Sequence, residues 1–400
     1  MATIRCNVLI ISLLIINSQL KVSMKLLFSY IAQPHQTLHS LPVALEIANN
    51  YPEFEIHIVC TTSSHLDYIK SLAALYPEVK LHYHRFNLTR LLRYQISTYG
   101  INAVSKLLLL YQNKAFFKQF DAIIVPERTS LLLRKLGVKK PKLIWTRHGA
   151  GDRAIGFAKD VRNFDFILMA GKKIEKRLLS EAHIKEDKYK TGIYAKFDII
   201  NRIQQNPIQL FNNNKPIVLY NPHFKNYLSS WPKFGRSILE QFANQDRYNL
   251  IFAPHFRLFY PVKEKHYKTF SDCKNHPNIL IDLGSPRSID MTYTLAANVY
   301  LGDVSSQLSE FLIHPRPCVF LNAHKIQWSN DINYTSWTLG QVVSSPHNII
   351  KVIDESFILQ KSFLQSQKDY IRNTFGTLNS PTARIGADAI VDYLKKNFNV

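Results

Sequence analysis

Residues 25–60 read KLLFSYIAQPHQTLHSLPVALEIANNYPEFEIHIVC, and three segments of that stretch differ in their hydrophobic period. Lys25 to Ala32 is a nearly unbroken apolar run, His39 to Tyr51 carries apolar residues at helical spacing, and Glu55 to Cys60 is a short β-branched run. The order expected from these periods is strand, helix, strand. The alternation returns downstream with DAIIVP (121–126), a helix through Leu136, KLIWT (142–146), and FDFILMA (164–170) followed by a lysine-rich helix. Short apolar strands separated by helices imply a parallel sheet covered on both faces, with ligands held at the carboxyl ends of its strands.

The pattern stops in NRIQQNPIQLFNNNKP (201–216), the best linker in the chain, and a second α/β series then begins. Its strands are expected at Ile217–Tyr220, Asn249–Ala253, Ile279–Leu283, Val299–Leu301 and Cys318–Leu321. Pro381 to Phe398 is helical in pattern and is expected to pack back on the first half. The division is therefore an apolar extension (1–23), a first Rossmann-like domain (24–200), a linker (201–216), a second Rossmann-like domain (217–380) and a returning helix (381–400). Within the extension, VLIISLLII (Val8 to Ile16) is too short to span a bilayer, which needs about 20 apolar residues. Arg5 is the only basic residue ahead of the apolar run, and this together with the poor cleavage site at Asn17-Ser18-Gln19 argues against export. A dispensable extension or weak membrane tether is the preferred reading.

The 400 residues are 46% hydrophobic, enough for large cores, which excludes a disordered chain. Cys6, Cys60, Cys273 and Cys318 form no C-x-x-C pair, so neither a zinc site nor a disulfide framework is suggested. Fifteen histidines occur without an H-E-x-x-H pattern or an Asp-rich loop, and no metal site is expected. The net charge of +21 calls for an anionic partner. Part of it lies between Val79 and Phe120, a stretch without Asp or Glu that carries Lys80, Arg85, Arg90, Arg93, Lys106, Lys114 and Lys118 beside Leu, Phe and Tyr. That mixture suits a helix lying on an anionic membrane surface; the alternative is a core helix with a solvated basic face. No zinc-finger spacing, aromatic ribonucleoprotein box or basic helix-turn-helix supports a nucleic-acid partner.

Three strand ends carry candidate chemistry. KLIWT runs into Arg147-His148-Gly149-Ala150-Gly151-Asp152-Arg153, which places His148 as a general base among Arg147, Gly149, Asp152 and Arg153. A turn histidine bonded to nearby backbone is the plain alternative. LIFAPHFR (250–257) offers His255 and Arg257 to a diphosphate. YLGDVSSQLSEF (300–311) presents Asp303, Ser305 and Ser306 at a helix start, with Glu310 two turns on, facing ribose or solvent.

Taken in order, W-x-x-H-G (145–149), T-G-I-x-x-x-x-D (191–198), Y-N-P (220–222), A-P-H (253–255), G-D-V-S-S (302–306) and P-C-V-F-L-N (317–322) resemble the CDP-glycerol glycerophosphotransferase family, which builds teichoic-acid-like polymers. The likeness runs from about Lys142 to Asn322. It implies an α/β fold of two Rossmann-like domains facing a central cleft, of the glycosyltransferase B type. It also implies a CDP-linked donor as substrate, a polyol or glycan hydroxyl as acceptor, no cofactor or catalytic metal, and a cytoplasmic enzyme peripheral on the inner face of the membrane. By that resemblance His148 is the base, His255 holds the diphosphate, Asp303, Ser305 and Ser306 lie at the nucleotide-diphosphate site, and Glu310 falls where the family has an acid. The chain departs from the family at Trp145, which stands two residues further from the histidine, at Tyr194 in place of a proline, and at His223-Phe224 in place of Thr-Trp. Other readings are a nucleotide-sugar glycosyltransferase or epimerase-like enzyme on the same fold, and a non-catalytic membrane-associated nucleotide-binding protein.

Overall fold

The computed structural model describes residues 23–31, 33–151, 154–204, 208–378 and 380–398. The extension, Asp152 and Arg153 fall outside them, apart from Ser23. Thirteen strands form two sheets in which every paired strand is parallel. The first contains β1 (Met24–Tyr30), β2 (Phe54–Cys60), β3 (His82–Arg85), β4 (Ala122–Val125), β5 (Lys142–Trp145), β6 (Phe166–Met169) and β7 (Tyr189–Thr191), in the order 3-2-1-4-5-6-7. The second contains β8 (Ile217–Asn221), β9 (Asn249–Phe252), β10 (Ile279–Ile281), β11 (Val299–Gly302), β12 (Cys318–Leu321) and β13 (Gln341–Val343), in the order 10-9-8-11-12-13. The expected two-domain α/β architecture is the one observed.

Each order reverses beside its first strand, between β1 and β4 in one sheet and between β8 and β11 in the other. Such a switch point leaves a crevice at the carboxyl ends of the strands, because the connections on either side leave in opposite directions. Five inner strands, β4, β6, β9, β11 and β12, are buried along their whole length. Three strands absent from the sequence reading, β3, β7 and β13, are all partly exposed edge strands of three or four residues, polar in β3 and β7 and Gln-Val-Val in β13. An edge strand can do without apolar residues on both faces, as β3 and β7 do, and then leaves no apolar run to recognise, whereas the edge strand β10 is apolar throughout and was recognised.

Two helices tie the ends of the chain into these cores. Thr382–Phe398 buries Ala383, Ala387, Ile390, Val391 and Leu394. A β-carbon at its Gly386 would stand 3.1–3.3 Å from side-chain atoms of Val43, Leu168 and Ile193, so the helix packs closely there. The long helix Ile349–Phe375 crosses the helix Lys172–Ala182 at Gly171. A β-carbon at that glycine would stand 2.4 Å from the Thr374 carbonyl oxygen, and backbone cannot yield as a side chain does. Gly171→Ala should therefore cost about 1–3 kcal/mol, the usual range for an overpacked contact, read as a lower urea midpoint than wild type.

Candidate active site

The two switch points face each other across a cavity of about 370 Å3. From the first sheet, β1 leads into His35 and Gln36, β4 into Glu127 and Arg128, and β5 into Arg147, His148 and Gly149. From the second, β8 leads into His223, Phe224 and Lys225, β9 into His255 and Arg257, and β11 into Ser305 and Ser306. Of the residues picked from sequence, His148, Gly149, Arg147, His255, Arg257, Ser305 and Ser306 thus line one cleft.

His148 Nδ1 lies 2.8 Å from the Pro126 carbonyl oxygen. A carbonyl can only accept, so Nδ1 carries the proton and the neutral ring keeps its lone pair on Nε2, which faces Gln36 at 3.5 Å. Burial, aided by Arg147 and Lys106, holds the His148 pKa below the ordinary value of 6.5 against the opposing Pro126 carbonyl and Glu127. His255 has the opposite tautomer. Its Nδ1 accepts the Arg257 amide N–H at 3.2 Å, which puts the ring proton on Nε2. The neighbouring His223 is held likewise, its Nδ1 accepting the Lys225 amide N–H at 3.0 Å. One wall of the cleft therefore carries a histidine acceptor and the other carries histidine donors. Between them stands His35, edge-on to His148 at 5.6 Å and 4.7 Å from the Phe256 ring.

Arg257 lies 4.3 Å over the face of Phe224, which orients its guanidinium without using up its donors. Arg147 is differently placed. Its backbone is left-handed (φ +57°), and its guanidinium is stacked 4.9 Å from both Trp145 and Phe157 while donating to the Gly156 carbonyl at 2.8 Å. Burial, with nearby Arg177, brings its pKa down to about 10. It shapes the turn that carries His148. Gly149 has φ +70°, and a β-carbon there would lie 3.0 Å from both Cβ and Oγ of Ser306. Glycine is needed here twice over, for the backbone conformation and for the contact between the two domains. The hydroxyl of Ser305 accepts the Gln307 amide N–H at 3.2 Å and so caps the helix that starts at Ser306, while Ser305 still lines the cleft.

Two expected ligand contacts are corrected. Asp303 is fully buried beneath the loop after β8, where Oδ2 accepts the amide N–H groups of His223 at 2.7 Å and Ser230 at 2.9 Å. Burial raises its pKa to about 7, opposed by those amides. It positions the His223 loop and lies behind the cleft wall. Glu310 faces neither ribose nor solvent: both carboxylate oxygens take the Lys196 ammonium at 2.7 Å, and Oε1 also takes the Tyr194 hydroxyl at 2.7 Å. This buried ion pair joins the two domains behind the site. Asp152 and Arg153 lie outside the described residues.

His35, Gln36, Glu127, His223 and Lys106 also line the cleft, none of them assigned to it from sequence. The first four sit just past the carboxyl ends of β1, β4 and β8, strands recognised from sequence, so the strand-end rule applied to every strand would have reached them. Lys106 comes from the helix Ala103–Gln112 and forms an ion pair with Glu127 at the cleft, for which the sequence holds no signal. Among the described lining residues, Lys106, Arg128, Arg147, Lys225 and Arg257 outnumber the single carboxylate, Glu127.

No protein-family model matches the chain, and no curated protein matches it in sequence. Solved structures do match. The wall teichoic acid polymerase TagF is 14% identical, covering 94% of this chain and 90% of its own at a TM-score of 0.60, and a variant soaked with CDPG gives 0.61. The UDP-GlcNAc 2-epimerase of Neisseria meningitidis bound to UDP-GlcNAc is 16% identical, with 94% and 100% coverage and a TM-score of 0.58. At these identities the likeness establishes the fold: two Rossmann-like domains of the glycosyltransferase B type.

Removing either partner of the Lys196–Glu310 pair should destabilise the chain by about 3–5 kcal/mol, since it leaves one charge buried and uncompensated. Replacing both, as Lys196→Met with Glu310→Leu, should recover most of that loss. Urea unfolding of the two single variants and the double variant measures it, and strictly additive losses would contradict the pairing.

Proposed function

We propose that the chain is a transferase that moves a glycerophosphate or similar polyol phosphate from a CDP-linked donor to a hydroxyl of a membrane-associated or surface-polysaccharide acceptor. The observation that carries this reading is the pair of opposed histidine tautomers: a lone pair at His148 Nε2 on one wall and N–H groups at His255 and His223 on the other. His148 Nε2 takes the proton of the acceptor hydroxyl, whose oxygen then attacks the β-phosphorus of the donor. A new P–O bond forms, the bond between the β-phosphorus and the bridging oxygen breaks, and CMP leaves with that electron pair. His148 ends the step protonated and returns its proton to solvent. The histidine N–H groups, with Arg257 and Lys225, stabilise the charge that builds on the departing phosphate, so catalysis is positioning and electrostatics. A wall rich in cations and poor in carboxylates suits this better than it suits a catalytic metal ion.

The alternative, an enzyme of nucleotide sugars, draws support from the near-equal TM-score of the epimerase bound to UDP-GlcNAc. A thermal-shift panel of CDP, UDP and GDP ligands separates the two, since a ligand at 100 times its Kd stabilises by about 2.7 kcal/mol. CDP is expected to give the largest shift; a UDP-selective shift favours the alternative. His148→Ala should lower transfer about 10²–10⁴-fold while leaving the CDP-induced shift in place, and retained turnover would remove His148 as base. Because burial disfavours its imidazolium form, the Nε2 lone pair persists below pH 6.5. The acid limb of kcat/KM against pH should therefore lie below 6.5 in wild type.

The acid-free stretch supports peripheral work at the inner face of the membrane. Its helices Arg90–Tyr99 and Ala103–Gln112 bury Leu92, Ile96, Leu109 and Leu110 against the domain. On the outside they still expose Leu91 and Tyr99 (69% each), Tyr94, Val104, Leu107 and Leu108. Arg90, Arg93, Lys114 and Lys118 accompany this apolar outer face, the composition of an interfacial surface for anionic lipid. Among the described residues no helix is long and apolar enough to cross a membrane. Vesicles with anionic headgroups should sediment the protein in low salt, zwitterionic vesicles should not, and Leu107→Glu with Leu108→Glu should abolish the association without changing the melting temperature.

A further inference from the structure

Away from the cleft, near the amino end of β2, the side chains of Glu55, His57 and His82 converge so that one ligand atom from each lies within 4.8 Å of the others. Parallel pairing sets this up: His57 and His82 are direct partners in the register of β2 and β3, and Glu55 precedes His57 by two residues and so shares its face. His57 Nε2 stands 2.9 Å from Glu55 Oε1, and His82 Nε2 stands 3.6 Å from the same oxygen. Lys25 approaches the other oxygen, Oε2, at 3.8 Å, leaving Oε1 to the two imidazoles.

His57 is 7% exposed, and despite the short approach to Glu55 its Nε2 has no aligned hydrogen-bond partner. The His57 Nε2 thus stands buried beside a carboxylate oxygen without being used up in a hydrogen bond. The other ring nitrogen of His57 strengthens this: Nδ1 lies 2.8 Å from His84 Nε2, so it can donate its proton there and leave Nε2 with the lone pair. A metal-ligating histidine is nearly always oriented in this way through its second nitrogen. Phe120 and Phe116 stand edge-on over His57 and His84 at 5.1 and 5.3 Å, shielding one side, while the His82 side chain is 55% exposed and leaves an entry path for a cation and a water ligand.

We propose that Glu55, His57 and His82 form a site for a borderline divalent cation, Zn2+, completed by a water molecule and distinct from the catalytic cleft. Two imidazoles and one carboxylate are a set that zinc accepts in tetrahedral geometry. Bond lengths of about 2.0–2.2 Å place tetrahedral ligand atoms about 3.3 Å apart, a spacing that the exposed His82 reaches by a small side-chain movement. Bound there, the ion cross-links β3 to β2. That matters because β3 is a four-residue edge strand with half-exposed side chains and little apolar surface of its own to hold it.

The test uses the untagged full-length chain stripped with a chelator. Zn2+ should bind at one equivalent and raise the melting temperature, Mg2+ should not, and Co2+ should give the visible absorption of a tetrahedral site. His82→Ala, at an exposed position, should fold normally yet lose the Zn2+-dependent shift and the Co2+ spectrum. Glu55→Gln should weaken binding at least tenfold, and His84→Ala, which removes only the orienting partner, should weaken it about 10–100-fold. Wild type without a stoichiometric Zn2+ site, or a His82→Ala protein that binds Zn2+ as tightly as wild type, overturns the proposal.

Discussion

Parallel pairing in both sheets is the constraint from which the site follows. A parallel strand cannot be joined to its neighbour by a tight turn, so the chain must cross over through a helix and every strand must end on the same edge of its sheet. In each domain the order reverses once, beside β1 and beside β8, which opens one crevice per domain. The first domain delivers His35, Glu127 and His148 to its crevice and the second delivers His223, His255 and Ser306 to the other. The chemistry then depends on backbone more than on side-chain choice. A carbonyl from the end of β4 fixes one tautomer at His148, and an amide two residues after His255 fixes the other. The same side chain serves as acceptor on one wall and donor on the other because the loops present opposite backbone groups.

How much of this was legible depended on how local each cause is. Burial on both faces writes itself into a strand as a continuous apolar run, and the central strands were all readable; β3, β7 and β13 lie at edges and left no such run. His148 and His255 were legible because position at a strand's end is a property of a few neighbouring residues. Glu310 was not, because its partner Lys196 is 114 positions away and nothing near Glu310 in sequence announces a buried cation. Asp303 misled in another way. A carboxylate beside two serines looks like part of a phosphate site, yet its hydrogen bonds run to amides of a loop that begins some 80 residues earlier. In each case the missing information was a contact between chain segments far apart in sequence.

The net charge of +21 is spread over settings of different physical kinds. In the cleft, cations held by aromatic faces and buried backbone keep fixed directions, as Arg257 does over Phe224, and a fixed direction suits recognition of a diphosphate. On the outer helices Arg90 and Arg93 are exposed beside apolar side chains, where attraction to the proposed anionic surface is diffuse and screened by salt. The helix Ala103–Gln112 belongs to both regions: Lys106 turns inward to Glu127 at the cleft, while the next two residues, Leu107 and Leu108, are exposed outside. A lipid surface that takes up those leucines therefore meets the helix that also supplies a cation to the cleft wall. In the proposed docking, three consecutive residues link the lipid surface to the orientation of the cleft, and a rigid helix is enough to do so without any change of shape.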